Sequence, residues 1–338
     1  MSTLLLHGTN WLSCSRALLP GLMICAVLAV AATSLAQHYG APVMLLALLI
    51  GIAMNFLSTE GSCARGIEFT ARTVLRAGVA LLGLRITLGQ IADLGWQPVA
   101  LVLLSVGLTI ATAILVARLL GFRAAFGLLS GGATAICGAS AALALAAALP
   151  NHPLKERATL FTVLCVSALS TLAMVGYPLL AQAVGLDARQ AGIFLGATIH
   201  DVAQVVGAGY SMSAETGDVA TFVKLLRVAM LLPVIALTVL VLRNGADAAR
   251  TRRPPLLPAF AVGFAVLVAL NSFDLVPDRV RTTGVAVSQW CLVAAVAALG
   301  MKTRLRELAS VGLKPVVLMV GETAFLALLV LALLRWVG

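Results

Sequence analysis

Residues 200–204 read His200-Asp201-Val202-Ala203-Gln204 in the middle of an apolar stretch. Neighbouring imidazole and carboxylate groups can take up and release protons. An ionised Asp at the centre of a bilayer costs on the order of 2.5–3.5 kcal/mol, so such a group belongs beside a cavity or a basic partner. Helical spacing puts Gln204 on the face of His200, one turn on, with Asp201 close to it. Basic partners are present: Lys224 and Arg227 lie three apart in the next apolar stretch. Arg85 lies nine residues beyond Arg76, about 13 Å deeper along a helix. His200, Asp201 and Gln204, with Lys224 and Arg227, are therefore candidates for ion coupling, and Arg85 for setting the charge of a binding site. Glu322 is a further carboxylate inside an apolar stretch, suited either to helix packing or to coupling.

A second group of candidates lies in Gly127–Ser140, where four glycines fall within twelve residues among hydroxyls and a thiol. Such a stretch makes a poor continuous helix. Interrupted backbone at membrane depth survives only where it lines a cavity or packs in protein. A helix restarting near Thr134 would present free N–H groups to an anion. Thr134, Cys137, Gly138 and Ser140 are the candidate binding residues. Thr198 joins them because Gly196-Ala197-Thr198 repeats Gly132-Ala133-Thr134. Close small-residue packing, with Gly131 and Ala135 four apart, is the competing reading.

The elements that must position these residues are membrane helices. The chain has 338 residues, 61% hydrophobic and 11% charged, with mean hydropathy +1.06. Those proportions exclude a soluble enzyme and a disordered chain. The net charge of +10 comes with 5% aromatics and no basic–aromatic interleaving, so it points to loops on one membrane side rather than to nucleic acid. The six cysteines form no CxxC pair and read as small buried residues, with no disulfide framework and no metal site. A span needs about 20 apolar residues. Eleven candidates follow: 17–36, 41–57, 73–93, 98–118, 124–149, 157–182, 190–210, 219–242, 257–272, 282–301 and 312–336. They make one polytopic, all-α transmembrane domain over 1–338, with the first apolar run retained as a helix. Arg65, Arg72 and Arg76, then Arg118 and Arg123, then Arg243, Arg250, Arg252 and Arg253, then Lys302, Arg304 and Arg306 all fall on one side of this count. The N-terminus is therefore expected in the cytoplasm and the C-terminus outside. Lys155 and Arg157 fall on the other side, which leaves open a re-entrant fifth span.

Residues 79–101 align without gaps to 296–318, with ten of 23 positions identical. Gly83 pairs with Gly300, Gly95 with Gly312, Pro98 with Pro315 and Arg85 with Lys302. In the eleven-span count the two copies run in opposite directions, as in secondary transporters built from inverted repeats.

At Leu84-Arg85-Ile86-Thr87, Ile136-Cys137-Gly138-Ala139-Ser140, His200–Val206, Lys224-Leu225-Leu226-Arg227 and Asn271-Ser272-Phe273 the chain resembles the YeiH-type inner-membrane proteins, over nearly its whole length. That family is labelled as sulfate exporters. The resemblance implies a fold like that of the bile-acid and sodium–proton transporters, with inverted repeats and broken helices. It further implies an inner-membrane location and export of a small sulfur oxyanion, and homodimers are common among such transporters. The expected function is secondary-active anion transport by alternating access, with the bilayer and a small inorganic anion as partners. No cofactor is implied. No GxxxxGK[ST] occurs, which excludes a P-loop ATPase. A cation–proton antiporter of related fold is the alternative. An intramembrane hydrolase drafting Ser140, His200 and Asp201 lacks both HExxH and GxSxG, and adjacent His and Asp diverge by about 100° on a helix.

Overall fold

The structure is a computed structural model describing residues 3–39, 43–59, 61–150, 152–242, 259–302 and 313–337. Among these, every regular element is a helix. The chain begins with α1 (Thr3–Tyr39), α2 (Val43–Ala53) and the single turn α3 (Phe56–Thr59). Then α4 (Ala64–Phe69), a π turn (Thr70–Val74), α5 (Leu75–Leu81) and a 3-10 turn (Leu82–Leu84) run on as one helical stretch. Next come α6 (Leu88–Asp93), α7 (Gln97–Leu119), α8 (Ala124–Ala135), α9 (Ala139–Ala148) and α10 (Lys155–Ala183). They are followed by α11 (Ala188–Thr198), α12 (Val202–Met212), α13 (Ala214–Ala229) and α14 (Leu231–Leu242). The last are α15 (Ala259–Ser272), α16 (Asp278–Lys302) and α17 (Leu313–Val337).

Among the described residues, six stretches are long and apolar enough to cross a bilayer: Ala17–Tyr39, Gln97–Leu119, Lys155–Ala183, Ala214–Leu240, Asp278–Lys302 and Lys314–Trp336. The protein is thus an all-helical polytopic membrane protein. The stretches predicted as spans five and seven are each two half-helices, α8–α9 and α11–α12. A half-helix of about eleven residues covers about 16 Å, half the hydrocarbon thickness.

The chain falls into two compact units. The first comprises Met1–Gly89 and Ala259–Thr303. Here the third predicted span is displaced. The helical run covers 64–84 and Arg85 caps its C-terminal end, its N–H donating to Leu82 O at 2.9 Å. The expectation of Arg85 midway along a 73–93 helix is therefore corrected. A cation at a helix C-terminus meets the negative end of the dipole. The linker beyond it is held by α15: Asn271 Nδ2 donates to Ile86 O (3.2 Å), and Ser272 Oγ accepts from Leu88 N (2.7 Å). Lys302, the repeat counterpart of Arg85, ends α16 and pairs with Glu68, which also holds Arg72 at 2.5 Å.

The second unit comprises Gln90–Pro258 and Arg304–Gly338. Helix α8 packs along α7, while α11 and α12 both lie against α13. Between α8, α9, α10 and α17 sits an apolar cluster including Leu129, Leu145, Phe161 and Met319. Membrane helices of this kind gain little from apolar burial against lipid, so close packing and internal hydrogen bonds hold them. Lys155 spends its charge in this way: its Nζ donates to Leu149 O (2.8 Å), capping the end of α9. This local contact gives a reason for a cation at 155 that the side-counting rule does not consider. Arg243, Arg250, Arg252, Arg253, Arg304 and Arg306, and the middle of the second repeat copy at 303–312, lie outside the described residues.

Candidate functional site

The two interruptions in the second unit are set by local sequence. Helix α8 ends at Ala135; Ile136 takes φ −110°, ψ −85°, and Gly138 takes φ +64°, ψ −128° before α9 restarts at Ala139. Only glycine adopts that last conformation without strain. The break thus falls at 136–138, not near Thr134 as expected. Gly132-Ala133-Thr134 forms the last turn of α8, the carbonyl end rather than the N–H end. Its sequence twin Gly196-Ala197-Thr198 likewise forms the last turn of α11. The chain then runs extended through Ile199 and Asp201. Asp201 is the N-cap of α12, its Oδ1 accepting from Ala203 N at 2.8 Å. Because the helix starts after His200, His200 and Gln204 do not share a helical face; the i, i+4 argument fails at the break.

The interruptions meet. A Cβ on Gly138 would lie 3.5 Å from His200 Cβ and 3.6 Å from His200 O. Two cations on α13 hold the carbonyl ends together. Lys224 Nζ donates to Ile136 O (2.7 Å) and Ile199 O (3.0 Å). Arg227 donates through Nε to Ala135 O (2.8 Å) and through one terminal nitrogen to Thr134 O (2.8 Å). The other terminal nitrogen donates to Gly196 O and Ile199 O, both at 3.1 Å. Lys224 and Arg227 are both 0% exposed, and no carboxylate pairs with either among the described residues. Their compensation is the orphan carbonyls of two helix ends, which carry partial negative charge. Gly196 lets α11 come close enough for this: a Cβ there would sit 2.5 Å from Ala220 O of α13.

A hydrogen-bonded cluster continues toward α17. Glu322, 5% exposed, accepts from Ser130 Oγ (2.7 Å) and Thr134 Oγ1 (3.2 Å). His200 Nδ1 faces Thr134 O (2.9 Å) and must donate to it, while Nε2 faces Thr323 Oγ1 (3.2 Å). Thr134 is the hub: its hydroxyl serves Glu322, and its carbonyl serves His200 and Arg227. Helix α10 holds the other side, where Asp201 N donates to Ser170 Oγ (3.0 Å) and Gln204 Nε2 to Thr171 Oγ1 (2.9 Å). Gln204 Oε1 is buried with no hydrogen-bond partner among the described residues.

The candidate residues therefore separate. Thr134, Cys137, Gly138, Thr198, His200, Gln204, Lys224 and Arg227 are buried around the crossing, Asp201 is half-buried and Ser140 is exposed. Thr198 bonds its own helix at Phe194 O (2.6 Å). Arg85 belongs to the first unit. Both ring nitrogens of His200 are engaged, neither with Ser140. Sequence reasoning missed Ser130, Ser170, Thr171 and Thr323 and left Glu322 unplaced. A hydroxyl that bonds across helices looks, in sequence, like one that bonds its own backbone.

The polarity of the crossing follows. Helix α9 begins without a side-chain cap, and the exposed Ser140 lies in its first turn. Helix α12 is neutralised by Asp201. Assigning about half a charge to each helix end, with a neutral imidazole and before Glu322 is counted, leaves the crossing with roughly one net positive charge.

The family described as Conserved hypothetical protein 698 matches residues 20–319. A UPF0324 membrane protein of Chlorobaculum tepidum is 54% identical over 322 residues, covering 94% of this chain and 90% of that protein. The UPF0324 membrane protein TauZ of Paracoccus pantotrophus is 52% identical over 322 residues, covering 94% and 95%. A third, from Rhizobium meliloti, is 50% identical over 321 residues, covering 94% and 93%.

Proposed function

We propose secondary-active transport of a small anion as the function of this chain, which belongs to the UPF0324 membrane protein family. One observation carries this reading: Lys224 and Arg227 gather the carbonyl ends of two interrupted helices, and α9 begins beside them with Ser140 exposed in its first turn. An anion of one or two charges fits there on the Ala139 and Ser140 amides, with the Ser140 side chain at the mouth and Cys137 and Gly138 behind it. Thr134 and Thr198 shape the two carbonyl ends, and His200, Asp201 and Gln204 make up the coupling side. A sulfur oxyanion, sulfate or sulfite, is the substrate class in keeping with the YeiH-type resemblance. The fold is read as an inverted-repeat arrangement of eleven crossings in the inner membrane, N-terminus inside. In support, both repeat copies lead from a helix of the first unit, α5 or α16, to a helix of the second, α7 or α17.

Flux of labelled sulfite and sulfate into proteoliposomes tests the reading; saturable flux of either supports it, and flux no faster than in protein-free vesicles refutes it for these anions. A cation–proton antiporter is the second reading. It is favoured by the Asp201 carboxylate and the unpartnered Gln204 Oε1, two oxygen donors in the first turn of α12. Sodium flux without any transported anion separates the two.

A further inference from the structure

Glu322 sits ten residues into α17, about 14 Å from its start. It is buried against the last turn of α8. Its neighbourhood is short of countercharge. Helix α8 has no ionisable side chain, and α7 has only Arg118, in its last turn. Helix α11 has only Arg189, near its start, and that guanidinium donates to Asp93 O. From α10, Cys165 lies in the apolar cluster that α17 joins through Met319. Helix α10 also carries Lys155, Glu156 and Arg157 in its first turn and Tyr177 about three turns beyond Cys165, and α17 itself carries Lys314 and Arg335 near its ends. Within the hydrogen-bonded cluster the ionisable groups are His200, one hydrogen bond beyond Thr134, and Arg227 on the same Thr134 carbonyl. No cation lies within 4 Å of Glu322 among the described residues.

The immediate partners suit both charge states. Ionised, Glu322 accepts from the Ser130 and Thr134 hydroxyls. Protonated, it becomes a donor and needs an acceptor. Ser130 Oγ can accept, because its own hydrogen has Gly127 O at 3.5 Å as a second target. Thr134 is different: its carbonyl already takes His200 and Arg227. Any change at its hydroxyl is therefore felt at the crossing.

We propose that Glu322 is the proton-carrying group of this protein, and that its protonation and the binding of an anion at the helix crossing favour one another. The proposal rests on the transport reading above and names its coupling ion. The proton is taken from water on one side of the membrane and returned to water on the other; no bond other than O–H is made or broken. With Glu322 ionised the crossing is near neutral, and with Glu322 protonated it regains roughly one positive charge. By linkage, each ligand raises the affinity for the other by the same factor. Asp201 caps α12, while His200 transmits the change through Thr134.

Two measurements test this on the full-length protein, with Glu322→Gln, Ser130→Ala and Asp201→Asn as variants. Glu322→Gln keeps an acceptor oxygen for one of the two hydroxyls and turns an N–H donor to the other, whose oxygen can accept it, so the variant is expected to fold. The first is infrared difference spectroscopy between acid and alkaline buffer. A carboxylic-acid C=O band that disappears in Glu322→Gln, persists in Asp201→Asn and moves its pH midpoint in Ser130→Ala supports the proposal. Such a band surviving in Glu322→Gln, or absent from the wild type, overturns it. The second is accumulation of labelled sulfite and sulfate in proteoliposomes under a gradient of one pH unit. One coupled proton supports about tenfold accumulation, which Glu322→Gln loses while downhill flux remains. Undiminished accumulation in Glu322→Gln overturns the proposal. Absence of all flux in the wild type instead refutes the transport reading and, with it, the coupling, while the infrared result still decides whether Glu322 titrates.

Discussion

Arg227 and Lys224 look, in sequence, like countercharges for Asp201, but their donors go to backbone carbonyls. This changes what their replacement should do. Arg227→Met leaves the carbonyls of Ala135 and Gly196 without their donor and Thr134 O with His200 alone, at about 1–3 kcal/mol for each group that stays unpaired. The variant should lose about 3 kcal/mol or more, seen as a large drop in thermal unfolding temperature in detergent. Arg227→Lys should recover only part, since one ammonium cannot reach four carbonyls arranged for a planar fork. Asp201 behaves differently. Asparagine is as good an N-cap as aspartate, whereas alanine costs about 1 kcal/mol. Asp201→Asn should therefore keep wild-type stability while changing anion affinity, and Asp201→Ala should lose both. An Asp201→Asn protein as unstable as the alanine variant would show that charge, not capping, holds α12.

The half-helices show where a sequence carries its own punctuation and where it does not. The Asp187–Gln190 capping box at the start of α11 and the Asp201 and Ser213 caps of α12 and α13 are short-range signals. The glycine count of 127–138 announces an interruption. Its place was not legible, because three glycines lie inside α8, where they allow close packing, and only Gly138 needs a left-handed backbone. The Thr134 reading inverted the polarity of the site for this reason. Gly138→Ala is predicted to cost about 1–3 kcal/mol through backbone strain, although the space beside it is ordinary contact distance from His200. Thermal unfolding checks this; an unchanged transition would mean that the break tolerates another conformation. The contacts of Glu322 were not legible either, since Ser130 and Thr134 lie 192 and 188 residues away in sequence.

At the scale of the molecule, the repeat gains meaning from connectivity. Residues 79–101 and 296–318 carry the chain from one compact unit to the other, each copy placing a basic residue, Arg85 or Lys302, at a helix C-terminus. Opposite orientation of the copies predicts that a cysteine introduced at Trp96, which is exposed, reacts with an impermeant reagent from the side opposite the basic loops. Labelling from the cytoplasmic side would contradict the eleven-crossing count. The account as a whole turns on whether water and anions reach the crossing. In a protein whose six cysteines have been replaced, Ser140→Cys reports this directly. The account predicts that an impermeant thiol reagent modifies position 140 and that sulfite or sulfate slows the modification. A thiol there that stays unreactive in the folded protein, or reacts at the same rate whatever anion is present, would contradict it.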